Sequence, residues 1–399
     1  MIKMFDLMYH IRKLMLNFFP LKRRQRVGIL GMTLAYNFGG ILQAYALQKK
    51  ILELGFDVFV IRTDKSLNPY WWSILQRIKH IVSSILWTSG LLPTYPLPFK
   101  IIRKHAKKFI MNNIRETYPI NLTSFSRDIS LYDFDFFVVG SDQVWNEICK
   151  PEGVAFYYLD TLSTNDRSKA IAYSASFGKD TWGYNTVLTE KCSMLVREFR
   201  AVSVREVSGI SLCKDYLLCD ALQMPDPTLL LTNDEYNLLI KNSNFHKGGK
   251  PYLATYILDW DLDKKTQIDF LAKDLNIEII NINEYEEHVI RRKQALPRKI
   301  EEWIFLISNA RYLITDSFHG CVFSVIYNIA FIALGNQARG MARFETLLET
   351  FQLKDRLISI SSTSEIRRIL KNPIDWERVN AIRDSERERG LNFLKENLK

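Results

Sequence analysis

The chain has no apolar run that reaches the roughly 18 residues a membrane-crossing helix needs, because charges or helix breakers interrupt every candidate. Transmembrane helices are therefore not expected. Cysteine is scarce: Cys149, Cys192, Cys213, Cys219 and Cys321 form an odd, scattered set without CxxC spacing. That pattern excludes a disulfide framework and a zinc site, and fits reduced thiols in the cytoplasm. No small-residue cleavage site follows the Met-, Leu- and Phe-rich N-terminus, which Asp6, His10, Arg12 and Lys13 break up. A secretory signal is not expected. Internal repeats and low-complexity tracts are also missing, which excludes solenoid and linker-dominated architectures. Acid is absent altogether from residues 65–110.

What remains is a chain of 399 residues, enough for two domains with ordinary cores. Its 47% apolar and 25% charged content is that of a soluble globular protein. The net charge of +10 is concentrated in two places. Residues 1–26 carry +6 and residues 65–110 carry +8, leaving −4 for the rest. Both segments are also amphipathic. Met1, Met4, Met8, Ile11, Met15 and Phe18 recur at helical spacing, and Trp71, Trp72, Ile74, Leu75, Ile78, Ile81 and Ile85 form a second stripe beside Arg77, Lys79 and His80. Helices of this composition lie in the surface of an anionic membrane or pack on the protein's own core. No nucleic-acid-binding motif accompanies the charge, so nucleic acid is not the expected partner.

Along the chain, strands and helices alternate. Arg26 to Gly31 reads as a buried strand, followed by a glycine-bearing loop, a helix from about Ile41 to Leu54, and a strand from Asp57 to Arg62. This βαβ unit implies a parallel sheet. Residues 63–130 break the rhythm and read as an insertion. Strands follow at Phe134 to Val139, Ala170 to Ser174 and Ala201 to Val204, with helices near 186–199 and 207–217. The polar stretch Lys241 to Lys250 reads as a linker. Beyond it come strands at Tyr252 to Leu258, Ile277 to Ile280, residues 311–315 and Phe331 to Leu334. The pattern predicts an α/β fold of two doubly wound Rossmann-like domains facing across a cleft. The expected parts are a basic N-terminal segment 1–25, a first domain 26–240 and a second domain 241–374. A C-terminal helix within 375–399 is expected to cross back to the first domain.

Four constellations fall at carboxyl ends of predicted strands. Thr33 to Gly40, followed by Leu42-Gln43, brings Asn37, Gly39 and Gly40 to the start of a helix, where backbone approaches a ligand closely. Gly140-Ser141-Asp142-Gln143-Val144-Trp145-Asn146 offers amides, a carboxylate and an aromatic face suited to a sugar, and serves equally well as a helix cap. Ser203-Val204-Arg205-Glu206 places an arginine after a buried strand, a bidentate clamp for phosphate or carboxylate, or else one half of an Arg205–Glu206 surface pair. The most informative is Thr315-Asp316-Ser317-Phe318-His319-Gly320, with Gly340-Met341-Ala342-Arg343-Phe344-Glu345 downstream. There a strand turns into a helix, leaving unpaired N–H groups that attract anions. His319 can exchange a proton with whatever binds there, or simply cap the helix or pack on Phe323. Pro225-Asp226-Pro227 reads as a rigid structural loop.

Together these segments resemble the polysaccharide pyruvyl transferase family, from about Val27 to Leu353. The resemblance rests on Tyr36-Asn37-Phe38-Gly39 with Gln43, Gly140 to Asn146, Ser203 to Glu206, Asp316 to Gly320 and Arg343-Phe344-Glu345. It implies a GT-B-like enzyme that moves the enolpyruvyl carbons of phosphoenolpyruvate onto two hydroxyls of a sugar, forming a cyclic ketal on a surface-polysaccharide precursor. His319 is then the general acid and later the base. Arg205, Ser317, Gly320, Arg339 and Arg343 are candidates for the anion, and Asn37, Gly39, Gly40, Gln43, Ser141, Asp142, Gln143, Trp145 and Asp316 for the cleft wall and acceptor. Members carry an arginine two residues before the histidine, where this chain has Ser317; Arg205, Arg339 or Arg343 would then take the anion. No metal or cofactor is expected beyond phosphoenolpyruvate as donor substrate. The expected partners are a saccharide acceptor presented on a lipid and the inner face of an anionic membrane. The rival readings are a GT-B glycosyltransferase using a nucleotide sugar, with Glu278 and Glu284 as candidate contacts, and a non-catalytic, membrane-associated saccharide-binding protein.

Overall fold

The computed structural model of the protein describes residues 23–35, 37–64, 103–147, 153–241, 250–283, 298–335, 340–358 and 363–399. Two parallel sheets dominate it. The first is built on β1 (Arg26–Leu30), β2 (Asp57–Val60), β5 (Phe136–Gly140), β6 (Ala170–Ala175), β7 (Ala201–Val204) and β8 (Leu222–Gln223), in the order β2-β1-β5-β6-β7-β8. Its central strands read Arg-Val-Gly-Ile-Leu and Phe-Phe-Val-Val-Gly and are buried throughout. Continuous apolar runs of this kind suit strands covered on both faces. The second sheet holds β9 (Tyr252–Tyr256), β10 (Glu278–Asn281), β11 (Tyr312–Thr315), β12 (Ala330–Leu334) and β13 (Leu357–Ile358), in the order β10-β9-β11-β12-β13. Both sheets reverse their winding once, between β1 and β5 and between β9 and β11. Crevices open at the carboxyl ends of the strands at such switch points.

The helices that matter for function are α1 (Phe38–Glu53), α2 (Lys104–Asn113), α3 (Thr186–Val196), α4 (Asn233–Lys241), α5 (Leu262–Leu275), α6 (Ile300–Ser308), α7 (Phe318–Tyr327), α8 (Ala342–Thr350), α9 (Thr363–Lys371) and α10 (Trp376–Asn397). The described part of the 63–130 insertion forms α2, a short helix at Phe125–Ser130 and a two-stranded parallel ladder of β3 (Thr63–Asp64) and β4 (Ile120–Asn121). Residues 1–22 and 65–102, which hold both amphipathic stripes, lie outside the described residues, as do 242–249 of the predicted linker.

One apolar cluster runs through both domains, with Tyr236 and Phe323 packed ring to ring at 4.9 Å between centroids. The helix α10 bridges them. Arg383 Nη1 donates to the Ile326 carbonyl of the second domain at 3.0 Å. One turn and a half further on, Arg389 Nη2 donates to the Gln223 carbonyl of the first at 2.7 Å. Gly390 lets the helix approach so closely that a Cβ there would collide with the Tyr173 hydroxyl and Leu230. Phe393 completes the contact against the Tyr173 ring at 5.9 Å.

Candidate active site

Two helix N-termini meet at the crevice. After β1 the chain turns through Gly31 to Asn37, whose side chain accepts from Gly40 N at 3.3 Å and so caps α1. After β11 the Thr315 hydroxyl donates to Tyr256 O at 2.7 Å and accepts from Ser317 N at 3.0 Å, which fixes the turn that starts α7. Ser317 is the N-cap of α7 but makes no side-chain capping bond, and the residue lines the crevice. The second residue of α7, His319, lies directly on the second residue of α1, Gly39. A Cβ at Gly39 would collide with Nδ1 of the imidazole. The positive ends of a 16-residue and a 10-residue helix therefore point into one space. The partial positive charge of helix N-termini favours anions in such a space.

The imidazole of His319 is almost wholly buried, at 7% exposure. Burial lowers its pKa below the ordinary histidine value. The carboxylates of Asp226 and Asp142 oppose the shift, while Arg205 and Arg343 add to it. Nε2 lies 3.9 Å from Oδ2 of Asp226. Asp226 is itself buried, and each of its oxygens has donors. Oδ1 accepts from Thr228 N at 3.0 Å and Thr228 Oγ1 at 2.7 Å. Oδ2 accepts from Arg205 Nη1 at 2.9 Å and from Gln43 Nε2. Burial pushes the Asp226 carboxyl up, but His319, Arg205 and the Thr228 bonds outweigh it and hold the group below its usual range.

His319 lines a cavity of about 1140 Å³, and Asp226 stands behind its wall. Its first-domain wall is the β1–α1 loop with Asn37, Gly40 and Gln43, then Ser141, Asp142, Gln143 and Asn146 after β5. The second-domain wall carries Asp316, Ser317, Phe318, His319, Gly340 and Arg343. Arg343 reaches across the crevice, its Nη1 3.0 Å from the Gln143 amide, whose oxygen is the atom that faces the guanidinium. At the far side, Arg298, Lys299 and Glu302 line the wall from the start of α6 and His105 lines it from α2. Asp316, although on this wall, commits its carboxylate to backbone amides. It accepts from Leu258 N at 2.6 Å and Asp259 N at 3.0 Å, tying the loop after β9 to the end of β11.

The family model of polysaccharide pyruvyl transferase matches residues 37–338, which takes in every one of these walls except Arg343, Gly340 and the start of the β1–α1 loop. The chain belongs to that family. Among curated protein sequences no relative matches it. Solved structures give the fold. The UDP-GlcNAc 2-epimerase of Neisseria meningitidis bound to UDP-GlcNAc is 10% identical with a TM-score of 0.51, over 94% of this chain and 99% of that one. The UDP co-structure of MnaA from S. aureus is 13% identical with a TM-score of 0.50, over 94% and 98%. Arabidopsis thaliana UGT89C1 complexed with UDP-L-rhamnose is 11% identical, again at 0.50, over 95% and 100%. These likenesses make the pyruvyl transferase a two-domain protein of GT-B architecture.

Several residues of this transferase stand elsewhere than the sequence suggested. Trp145, expected on the cleft wall, is fully buried and stacks on Tyr158 with 4.9 Å between centroids, so it belongs to the core of the first domain. Arg205, expected to clamp an anion, is buried behind the wall. It pairs with Asp226, with Glu206 at 3.5 Å and with Asp142 at 4.0 Å. Its charge is thus matched by carboxylates, and it forms no surface pair either, since Glu206 is buried too. Gly320 does not meet the cavity; it lets α7 sit on Thr315, whose hydroxyl a Cβ would strike. Gly39 is likewise covered, by His319. Arg339 and Tyr36 lie outside the described residues. Asp226 was read as a structural loop residue, and nothing in Pro225-Asp226-Pro227 signals an imidazole partner. Gly178 carries no sequence signal of its place. Its carbonyl touches Gly340 where the two domains meet, so closely that only a glycine fits there.

Proposed function

We propose that the protein transfers the enolpyruvyl carbons of phosphoenolpyruvate to two hydroxyls of a saccharide, closing a pyruvyl ketal, with His319 as general acid and then base. The observation that carries this reading is the imidazole set between two helix N-termini at the wall of one cavity. Phosphoenolpyruvate brings a carboxylate and a phosphate; the α1 and α7 N-termini, Arg343 and the Ser317 hydroxyl are the groups offered to them. Ser317 adds no charge, and Arg343 is the cation on the same wall that the cavity meets.

The chemistry balances on these groups. The imidazolium gives its proton to the vinyl carbon, and a sugar hydroxyl bonds to C2 and returns a proton to the imidazole. The C2–O bond to phosphate breaks with its electron pair, and the second hydroxyl bonds to C2, its proton leaving with phosphate. An anion in the site raises the proton affinity of a ring that burial had lowered, so the acid forms in the complex. Replacing His319 with Ala is expected to cut turnover by about 100-fold or more while the circular dichroism melt is retained. Full turnover by that variant removes the assignment.

Transfer from a nucleotide sugar is the second reading. It is favoured by the UDP and UDP-sugars named for the solved neighbours and by a cavity far larger than phosphoenolpyruvate needs. Against it, the Asp316 carboxylate already occupies the Leu258 and Asp259 amides at the β9–β11 switch point, where a diphosphate would otherwise settle. The spare volume suits the acceptor. We place the enzyme at the cytoplasmic face of the membrane, where Lys104, Lys107 and Lys108, exposed on α2, meet anionic lipid that carries the acceptor.

A further inference from the structure

His319 has a buried nitrogen without a hydrogen-bond partner. Its Nε2 is buried and hydrogen-bonded to nothing, yet a carboxylate oxygen stands 3.9 Å away. The two oxygens of that carboxylate have separate neighbours. Oδ1 caps the short helical turn Pro227–Leu230 through Thr228, an ordinary structural duty. Oδ2 faces Gln43, Arg205 and His319 instead. A carboxylate needed only as a cap would not require three donors arranged around its other oxygen. Gln43, Arg205 and Thr228 hold it rigidly, so it can act on the imidazole without moving.

We infer that Asp226 is the positioning residue of the imidazole: Oδ2 receives the Nε2–H of the imidazolium, leaving Nδ1, on the Gly39 side, to exchange the proton with substrate. This rests on the acid–base role given to His319. Proton uptake puts a positive charge on a buried ring, and the fixed anion draws Nε2 inward by about 1 Å to charge-assisted hydrogen-bond distance. The same contact selects the ring orientation and which nitrogen carries the mobile proton. Four charged groups set the field at the ring: Asp226 before the Pro227 turn, Asp142 after β5, Arg205 after β7 and Arg343 on α8. Of the two carboxylates, Asp226 acts more strongly on the ring, and its Oδ2 stands 3.9 Å from Nε2.

The pH dependence of kcat tests this. Asp226→Asn should lower kcat by about 100-fold with KM within about threefold, and should move the basic limb of kcat to lower pH. Asp226→Glu should recover part of the rate. Gln43→Leu removes one competing donor from Oδ2, so the limb should move to higher pH. A folded Asp226→Asn enzyme with kcat within about threefold of the parent overturns the inference. Should Asp226→Asn not fold, an unmoved limb in Gln43→Leu overturns it. If His319→Ala is inactive while Asp226→Asn runs at full rate, only the positioning role falls; if His319→Ala is active, the acid–base reading falls first.

Discussion

At the scale of single residues, the account turns on how closely His319 is held. The ring fits only because position 39 has no side chain. Gly39→Ala improves intrinsic helix propensity yet drives a methyl group into Nδ1. A displaced imidazole of this kind is expected to cost about 100-fold in kcat by steady-state rates, in a variant whose melt shows that it still folds. Unchanged kcat would mean that the ring is not where the chemistry happens. The lowered pKa of His319 gives a second expectation with a definite sign. The protonated ring is the acid, so rate falls as pH rises through its pKa. In the free enzyme that pKa is below the ordinary histidine value, so kcat/KM should decline at lower pH than kcat, whose limb reports the anion-loaded complex. Coincident limbs would contradict the idea that bound donor restores the proton. His319 itself was legible in the sequence, because an imidazole after a strand, at the start of a helix, has few uses. Asp226 was not. Its role comes from three segments distant in sequence that converge on one oxygen, and no local pattern encodes such a meeting.

At the scale of elements, the central strands declared themselves through unbroken apolar runs, and α1, α7 and α10 were legible as helices, although α1 begins at Phe38, ahead of the expected Ile41. The edge strands β8 and β13 did not, since two residues each leave no period to detect. Arg205 shows the limit of reading a position from its place after a strand: the sheet end was right, but Asp142 and Asp226, brought by other elements, join the neighbouring Glu206 in claiming the guanidinium. The same tertiary override moved Trp145 into the core. The helix α10 ties the two halves, and its contact depends on Gly390. Gly390→Val should push the helix off Tyr173 and Leu230 and destabilise the protein by about 1–3 kcal/mol, read as a lower urea midpoint. A midpoint equal to the parent's would mean that α10 does not hold the first domain there.

At the scale of the whole molecule, two Rossmann-like halves close on each other through glycines at 178 and 340, and the cavity between them carries charge of both signs. No helix among the described residues is long and apolar enough to cross a membrane. The excess positive charge resides in residues 1–26, ahead of the first domain, and in residues 65–110 within its insertion, while the rest of the chain is net negative. Charge reversal at Lys104, Lys107 and Lys108 should release the protein from anionic vesicles in a flotation assay; retained binding would exclude α2 as the contact. The identity of the donor decides the rest. Thermal stabilisation of the purified protein by phosphoenolpyruvate, set against a panel of nucleotide sugars, measures it directly. The account predicts a raised melting temperature with phosphoenolpyruvate that Arg343→Ala abolishes. Stabilisation by a nucleotide sugar alone would contradict it.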